Sequence, residues 1–500
     1  MRVLTGAYCQ LGHGVPLPAF ERVVETVFTP LLTLLHHRRE VTLQLSLSIA
    51  FIEYLDTSHM PLSLLLADLC RSDKIELLGG TYHQPILNLI GPKDRSNQIE
   101  MMTTALRKRF AQRPKNFFSY AQIFSPAYIN ALNLCCMETV ITSVEGTGVG
   151  GSGYRDEPYL MQEMGKSVTI IPTNDAVSRA VRDYGAGTIT FAALLRRVKE
   201  VQQSQTHFLM AMVNLDQLVQ GGITAGECDE LFTLLLDHGS NPVEEILGEE
   251  ECLPKGYLPV GWYGHDAERG GLSTINDLLV LDESLAYLYG RYITMVEHAR
   301  LYKKDKDVRR RLESLIQRAS AGTPFLYDAH ASMVRPSIRT LLWRTISEMD
   351  SILSSLEDHT YVQVADYDLD ELEEHLVISK NLSCVIDSKG GSLDELTYLP
   401  SLHNYGDAYA LLDGMASSHS CLHPPHSGEK RRLFTDVILK AGTSLEEYDK
   451  RDGSTCLDLG RSCYRIEVLD RKATEFRASH TIMEHDLLPG SLELAKHYKV

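Results

Sequence analysis

Ile75-Glu76-Leu77-Leu78-Gly79-Gly80-Thr81-Tyr82-His83-Gln84 begins as a short apolar run and passes through two glycines into a polar segment. Further on, Ile99, Met102, Leu106 and Phe110 recur at helical spacing. A strand over Ile75 to Leu78 followed by a helix over Arg95 to Arg109 is one β-α unit. Working outward, the same alternation recurs. Strand candidates are Val3 to Tyr8, Val41 to Ile49, Asn116 to Ala121, Thr139 to Val144, Ser167 to Pro172 and His207 to Leu215, with helix-like stretches such as Phe20 to Leu35 and Pro61 to Arg71 between them. Seven such strands predict an α/β fold over residues 1–270 in the form of a closed or nearly closed (β/α)7 barrel, although periodicity alone leaves closure open.

Beyond the barrel region the texture changes twice. Residues 275–357 read as long helices, Ser284 to Tyr302, Asp305 to Ala319 and Ser337 to Leu356, the last with Leu341, Leu342, Ile346 and Met349 on one face, and so predict a helical bundle. Residues 360–500 carry short β runs, among them Tyr361 to Val364, His375 to Ser379, Ser383 to Ile386, Tyr464 to Leu469 and Leu492 to Leu494, which predict a β-sandwich. Gly414 to Lys430, rich in Ser, His and Pro, reads as an exposed loop.

Composition narrows the function. Against 66 acidic residues stand 49 Lys plus Arg, a net charge of -17, which repels phosphate backbones, so nucleic acid is not an expected partner. No apolar run reaches the ~20 residues of a membrane span and no signal peptide is expected. Ten cysteines without a C-x-x-C pair, several in apolar stretches, fit reduced thiols and a cytoplasmic compartment. A homo-oligomer is compatible with this composition.

In a parallel β/α barrel the reacting groups come from the C-terminal strand ends. Those ends hold Cys9 and Gln10, Gly79 to Gln84, Ala121 and Gln122, Glu145, Asn174 and Asp175, and Asn214 to Asp216. The carboxylates among them are Glu145, Asp175 and Asp216, and a two-carboxylate mechanism needs a pair about 5 to 9.5 Å apart.

The segment from Ile75 to Leu87 with Pro92-Lys93-Asp94-Arg95 and Gln98-Ile99 resembles the second signature region of glycoside hydrolase family 57, closest to its 4-α-glucanotransferase and α-amylase members. Pro126, Tyr289-Gly290-Arg291, Trp343, Gly390-Gly391 and His403-Asn404-Tyr405 extend the likeness over nearly the whole chain. The resemblance implies a seven-stranded barrel, a helical domain and a β-sandwich, here C-terminally shortened. It also implies a covalent nucleophile in a Trp-Leu-x-Glu-Arg-Val-Trp-x-Pro segment, which here reads Phe118-Ser119-Tyr120-Ala121-Gln122-Ile123-Phe124-Ser125-Pro126, so Ala121 stands at the nucleophile position. The family's Asp-Asp-Gly-Glu-Lys-Phe-Gly is Leu215-Asp216-Gln217-Leu218-Val219-Gln220-Gly221, which keeps Asp216 as the remnant acid/base. The His-Gln-Pro signature reads Cys9-Gln10-Leu11, and Gln84 replaces a Glu.

These departures lead to a catalytically inactive α-glucan-binding or regulatory pseudoenzyme, with α-glucan or maltooligosaccharide as partner. The alternatives are an active transferase or amylase with Glu145 as relocated nucleophile, and a scaffold subunit that binds no sugar. His83, Gln84 and Trp262 are the candidate sugar contacts, against the plainer readings of backbone satisfaction for the first two and core packing for Trp262. Asp216 can equally be a loop or helix-start anchor. Glu145 lies in a glycine-rich loop whose spacing fits neither phosphate-binding pattern. His419, Cys421, His423 and His426 fall in an exposed loop rather than at metal-site spacing, so neither metal nor cofactor is expected.

Overall fold

The structure, a computed structural model, describes all residues except 1, 39–40, 144–156, 205–207, 238, 250–274, 277–278, 280–282, 326–335, 357–359, 411–431, 445–446, 449–452, 471, 473, 484, 486 and 489. Glu145, Trp262, the His419 to His426 group and the Gly414 to Lys430 segment lie outside the described residues. The chain divides into two compact units, one of residues 1–277 with 320–330 and one of residues 278–319 with 331–500.

The first unit is built on β1 (Arg2–Cys9), β2 (Leu43–Leu47), β3 (Ile75–Leu77), β4 (Asn116–Phe118), β5 (Thr139–Thr142), β6 (Tyr159–Glu163), β7 (Lys166–Pro172) and β8 (Phe208–Asn214). Two four-stranded sheets result, ordered β3-β2-β1-β8 and β4-β5-β7-β6. Every pairing in them is parallel except β6 with β7. All seven strands expected from the sequence are present, and β6 is additional. It forms a two-residue hairpin at Met164-Gly165, both with positive φ, and Met164 is an unusual residue for a turn that normally advertises itself with Asn-Gly.

The sheets meet at both margins. Gly79 N donates to Asn116 O at 2.7 Å and Phe118 N to Gly79 O at 2.9 Å, linking the end of β3 to β4. At the other side Asn174 N donates to Met210 O at 2.8 Å, linking the end of β7 to β8.

Strand side chains alternate between two hydrophobic clusters. Val3, Ala7 and Cys9 pack with Leu43, Leu45, Leu47 and the surrounding helices. Leu4 and Tyr8 instead join Phe118, Ile141, Ile171, Met210 and Met212 on the other face, and Val243 and Ile246 of the helix Val243–Glu249 close that cluster. Burial on both faces is why the strands read as near-continuous apolar runs rather than as alternating ones. Gly6 marks how tight the inner cluster is: a Cβ there would lie 2.2 Å from Met212 Sδ and 3.0 Å from Gln44 O.

The second unit contains the long helices Glu283–Leu301, Lys306–Ala319 and Pro336–Ser354 together with all the remaining strands. They are β9 (Tyr361–Ala365), β10 (Glu374–Ile378), β11 (Leu382–Asp387), β12 (Ser392–Tyr398), β13 (His403–Asn404), β14 (Val437–Leu439), β15 (Cys456–Asp458), β16 (Arg465–Val468), β17 (Glu475–Ile482) and β18 (Leu492–Lys499). They form antiparallel sheets ordered β13-β12-β11-β10-β9, β14-β15 and β16-β17-β18. Arg291, fully buried, joins helix to sheet: Nε donates to Glu395 Oε2 at 2.7 Å and Nη2 to Asp350 Oδ2 at 2.9 Å. The glycine before it is required by contact, since a Cβ on Gly290 would fall 2.1 Å from Tyr367 O. Among the described residues no helix is long and apolar enough to cross a membrane, and every described cysteine is free.

Candidate functional site

Because the strands of the first unit run parallel, their C-terminal ends gather the residues that follow them. Asp216 sits in the first turn of the short helix Leu215–Gln220, whose N-cap Asn214 accepts from Asp216 N at 2.9 Å and Gln217 N at 3.2 Å. The Asp216 carboxylate reaches back to the end of β1. Its Oδ1 accepts from Cys9 Sγ at 3.1 Å and its Oδ2 from Gln10 N at 2.9 Å. The thiol is an apt donor, since burial and then the Asp216 charge hold its pKa well above the ordinary value and keep it protonated.

Tyr8, one residue before Cys9, packs against Phe118 with ring centroids 4.8 Å apart and ring planes tilted by 44°. Burial pushes its phenol up to about 12. Its oxygen receives Gln122 Nε2 at 3.3 Å, Gln122 Oε1 receives Thr173 Oγ1 at 3.2 Å, and Gln122 O receives Thr142 Oγ1 at 2.9 Å. Asp175 Oδ1 joins this network by accepting from Thr173 Oγ1 at 3.5 Å, and also accepts from Ser143 Oγ at 2.6 Å. The ends of β1, β4, β5 and β7 are thus tied by one chain of polar groups.

Ala121 lies in the turn after β4 with φ 53 and ψ 15, and Gln122 follows at φ 55. Two successive non-glycine residues in the left-handed region cost about 1–2 kcal/mol each and persist where the surroundings over-determine them. Here the Gln122 hydrogen bonds and the buried Tyr120 supply that restraint. Burial pushes the Tyr120 phenol up to about 12, with the Asp216 charge a smaller contribution in the same direction.

His83 and Gln84 follow β3. His83 N donates to Gln98 Oε1 at 2.8 Å, and its ring lies 4.9 Å from Tyr82 and 6.0 Å from His13, centroid to centroid. His13 Nε2 contacts Glu53 Oε2 at 3.1 Å. Gln84 is 7% exposed with φ 53. The segment after residue 319 returns to this loop: Gly322 N donates to Gln84 O at 2.9 Å, Thr323 Oγ1 lies 3.0 Å from Tyr120 OH, and Ser320 Oγ receives Gln98 Nε2 at 3.0 Å. Gly322 is fixed by space, since a Cβ there would be 2.7 Å from Ile86 N.

The structure therefore gathers Asp216, Ala121 and Gln84 at strand ends of one unit, while Glu145 and Trp262 lie outside the described residues. Sequence reasoning named Cys9, Gln10 and Asp175 as strand-end positions without seeing that Cys9 and Gln10 hold Asp216. Tyr8, Tyr120 and the 320–325 segment were missed. Tyr8 could have been found as the inward-facing residue just inside the end of β1; nothing local in 320–325 signals a return to the first unit.

Comparison with known proteins decides the kinship. The sequence profile of Glycosyl hydrolase family 57 matches residues 13–206, the region that carries most of these strand ends. Over those residues this chain is similar to glycosyl hydrolase family 57. The chain is 21% identical over 513 residues to an alpha-amylase of Pyrococcus furiosus, covering 90% of this chain and 76% of that protein. It is 23% identical over 156 residues to alpha-amylase 1 of Dictyoglomus thermophilum, an alignment spanning 30% of this chain and 22% of that protein. In fold it is similar to the crystal structure of 4-alpha-glucanotransferase from Thermococcus litoralis, with TM-score 0.79 at 15% identity over 100% of this chain and 82% of the other. The chain is thus similar to α-amylases and to a 4-α-glucanotransferase.

Proposed function

We propose that this chain is an α-glucan-binding pseudoenzyme of glycosyl hydrolase family 57 type, its first unit a closed (β/α)7 barrel of residues 1–270 followed by a helical domain over 275–357 and a β-sandwich over 360–500. The observation that carries the reading is Ala121. A retaining glycosidase needs one carboxylate to attack the anomeric carbon and a second to protonate the leaving oxygen, and a methyl group does neither. Asp216 alone offers acid/base assistance of about 10² to 10⁴, short of the ~10⁶ or more that enzymes supply over background. Its two oxygens are moreover already engaged by the Cys9 thiol and the Gln10 amide. The polar groups that remain at the strand ends suit hydrogen bonding to sugar hydroxyls, each contact worth about 0.5–1.5 kcal/mol. A cytoplasmic location and a homo-oligomeric state belong to the same proposal.

Calorimetry with maltoheptaose, paired with chromatography of the incubated sugar, tests it. Weak binding with unchanged maltoheptaose is expected, and Gln84→Ala and Asp216→Ala each weaken binding severalfold. Robust disproportionation abolished by Glu145→Gln would replace this reading with the relocated-nucleophile enzyme. The absence of any heat at millimolar sugar would replace it with the scaffold.

A further inference from the structure

Asp366-Tyr367-Asp368-Leu369-Asp370-Glu371-Leu372-Glu373-Glu374 connects β9 to β10 in the second unit. Asp366, Asp368, Asp370 and Glu374 each turn a carboxylate oxygen toward one point, and these oxygens lie within 4.8 Å of one another. That is the span between oxygens on opposite sides of a calcium ion, which takes oxygen ligands at about 2.3–2.6 Å. Spacing at first, third, fifth and ninth positions matches the order in which a calcium loop presents its ligands, and the sixth residue, Glu371, has φ 71 where such loops turn sharply through a left-handed residue.

Acidic clusters are often held by protein cations, and part of this one is. Lys389 Nζ lies 2.9 Å from Asp370 Oδ2, while Arg432 lies 3.5 Å from Asp368 Oδ2 through Nη2 and, through Nε, 2.9 Å from Asp394 Oδ1 and 3.0 Å from Asp387 Oδ2. Neither reaches Glu374. Its residue is completely buried, Oε2 accepts from Tyr367 N, and Oε1 takes no hydrogen bond. A buried carboxylate oxygen without a donor, on a residue of an acidic cluster, is costly unless a cation or a proton meets it.

We infer that the β9–β10 loop is a calcium site in which Asp366, Asp368, Asp370 and Glu374 supply the side-chain ligands. The donor set is all oxygen, which disfavours zinc and copper, and four converging carboxylates leave little room for the waters that magnesium retains.

The test is titration of the chelator-treated, dialysed full chain with CaCl2 by calorimetry at pH 7. One calcium per chain with Kd below about 1 mM and a calcium-dependent rise in Tm are expected. Magnesium at the same concentrations should bind at least about tenfold more weakly. Glu374→Gln should weaken calcium binding by about tenfold or more; Asp366→Asn, whose residue lies at the loop's start, should weaken it comparably and serves if the first variant does not fold. Absence of heat and of any Tm change with millimolar calcium, or binding unaltered in both variants, overturns the site.

Discussion

The thiol of Cys9 donates to Oδ1 of Asp216 across the two ends of β1 and β8, which are parallel neighbours in one sheet. Removing the donor leaves a charged, partly buried carboxylate short of one hydrogen bond and opens the volume of the sulfur. Cys9→Ala should therefore lower unfolding stability by about 1–3 kcal/mol in urea denaturation, while Cys9→Ser, which restores an O–H donor, should stay within about 1 kcal/mol of wild type.

A carboxylate returned to the Ala121 turn should return chemistry. Ala121→Glu is expected to disproportionate maltoheptaose at a rate about 10² or more above wild type, measured by chromatography of the products. The gain should vanish in Ala121→Glu combined with Asp216→Asn. Ala121→Gly, by relieving φ 53, should leave activity absent and raise stability by about 0.5–1 kcal/mol.

Gly322→Ala forces a Cβ to within 2.9 Å of Gln84 O and 2.7 Å of Ile86 N. The segment must lift from the Gln84 loop, taking Thr323 from Tyr120. Maltoheptaose binding should weaken severalfold, as is expected for Gln84→Ala, while the loss of stability in chemical unfolding should be smaller than that of a core cavity variant such as Phe118→Ala, expected at about 3–5 kcal/mol.

Arg291→Met leaves Asp350 and Glu395 buried without their shared cation. A loss of about 3–5 kcal/mol is expected from thermal or denaturant unfolding of the whole chain, and replacing all three groups by apolar residues of similar volume should recover most of it.

Stability of the calcium-free protein should fall with rising pH because of Glu374. Its folded-state pKa, about 9, lies above the unfolded value near 4.3, so the stability it contributes is complete below about pH 4 and is lost as pH rises toward 9, at up to about 1.4 kcal/mol per pH unit. Glu283 acts in the opposite sense. Burial opposes its ionisation, but Arg432 and Lys389 outweigh that and hold the carboxyl at about 2, so its contribution is present above about pH 4.3 and disappears as pH falls toward 2. A pH series of urea unfolding curves should show a maximum near pH 4–5, and Glu374→Gln should flatten the alkaline side.

The seven parallel strands were legible because burial on both faces writes them as apolar runs such as Phe208 to Val213. β6 was not, since Met164-Gly165 lacks the usual turn residues and its strand pattern is mixed. At the site, strand-end logic located Asp216, Cys9 and Asp175, and the likeness to family 57 located Ala121. The bonds among them were beyond the sequence, because they join residues separated by as much as 207 positions. The acidic loop before β10 escaped notice for a different reason: alternating Asp residues in a hydrophilic stretch look like solvent-facing charge until Glu374 is seen to be buried.

The return of residues 320–325 to the first unit has a consequence for synthesis. A ribosome must translate past the helix Lys306–Ala319 before the chain can supply the partners of Tyr120 OH, Gln98 Nε2 and the Gln84 carbonyl. The nascent first unit can build its hydrophobic interior early, from residues already emerged, but the Gln84 loop and the Tyr120 turn are completed only after two helices of the other unit have left the exit tunnel. Completion of these strand-end contacts is thereby coupled to progress of the second unit, and a chain stalled before residue 320 would lack them.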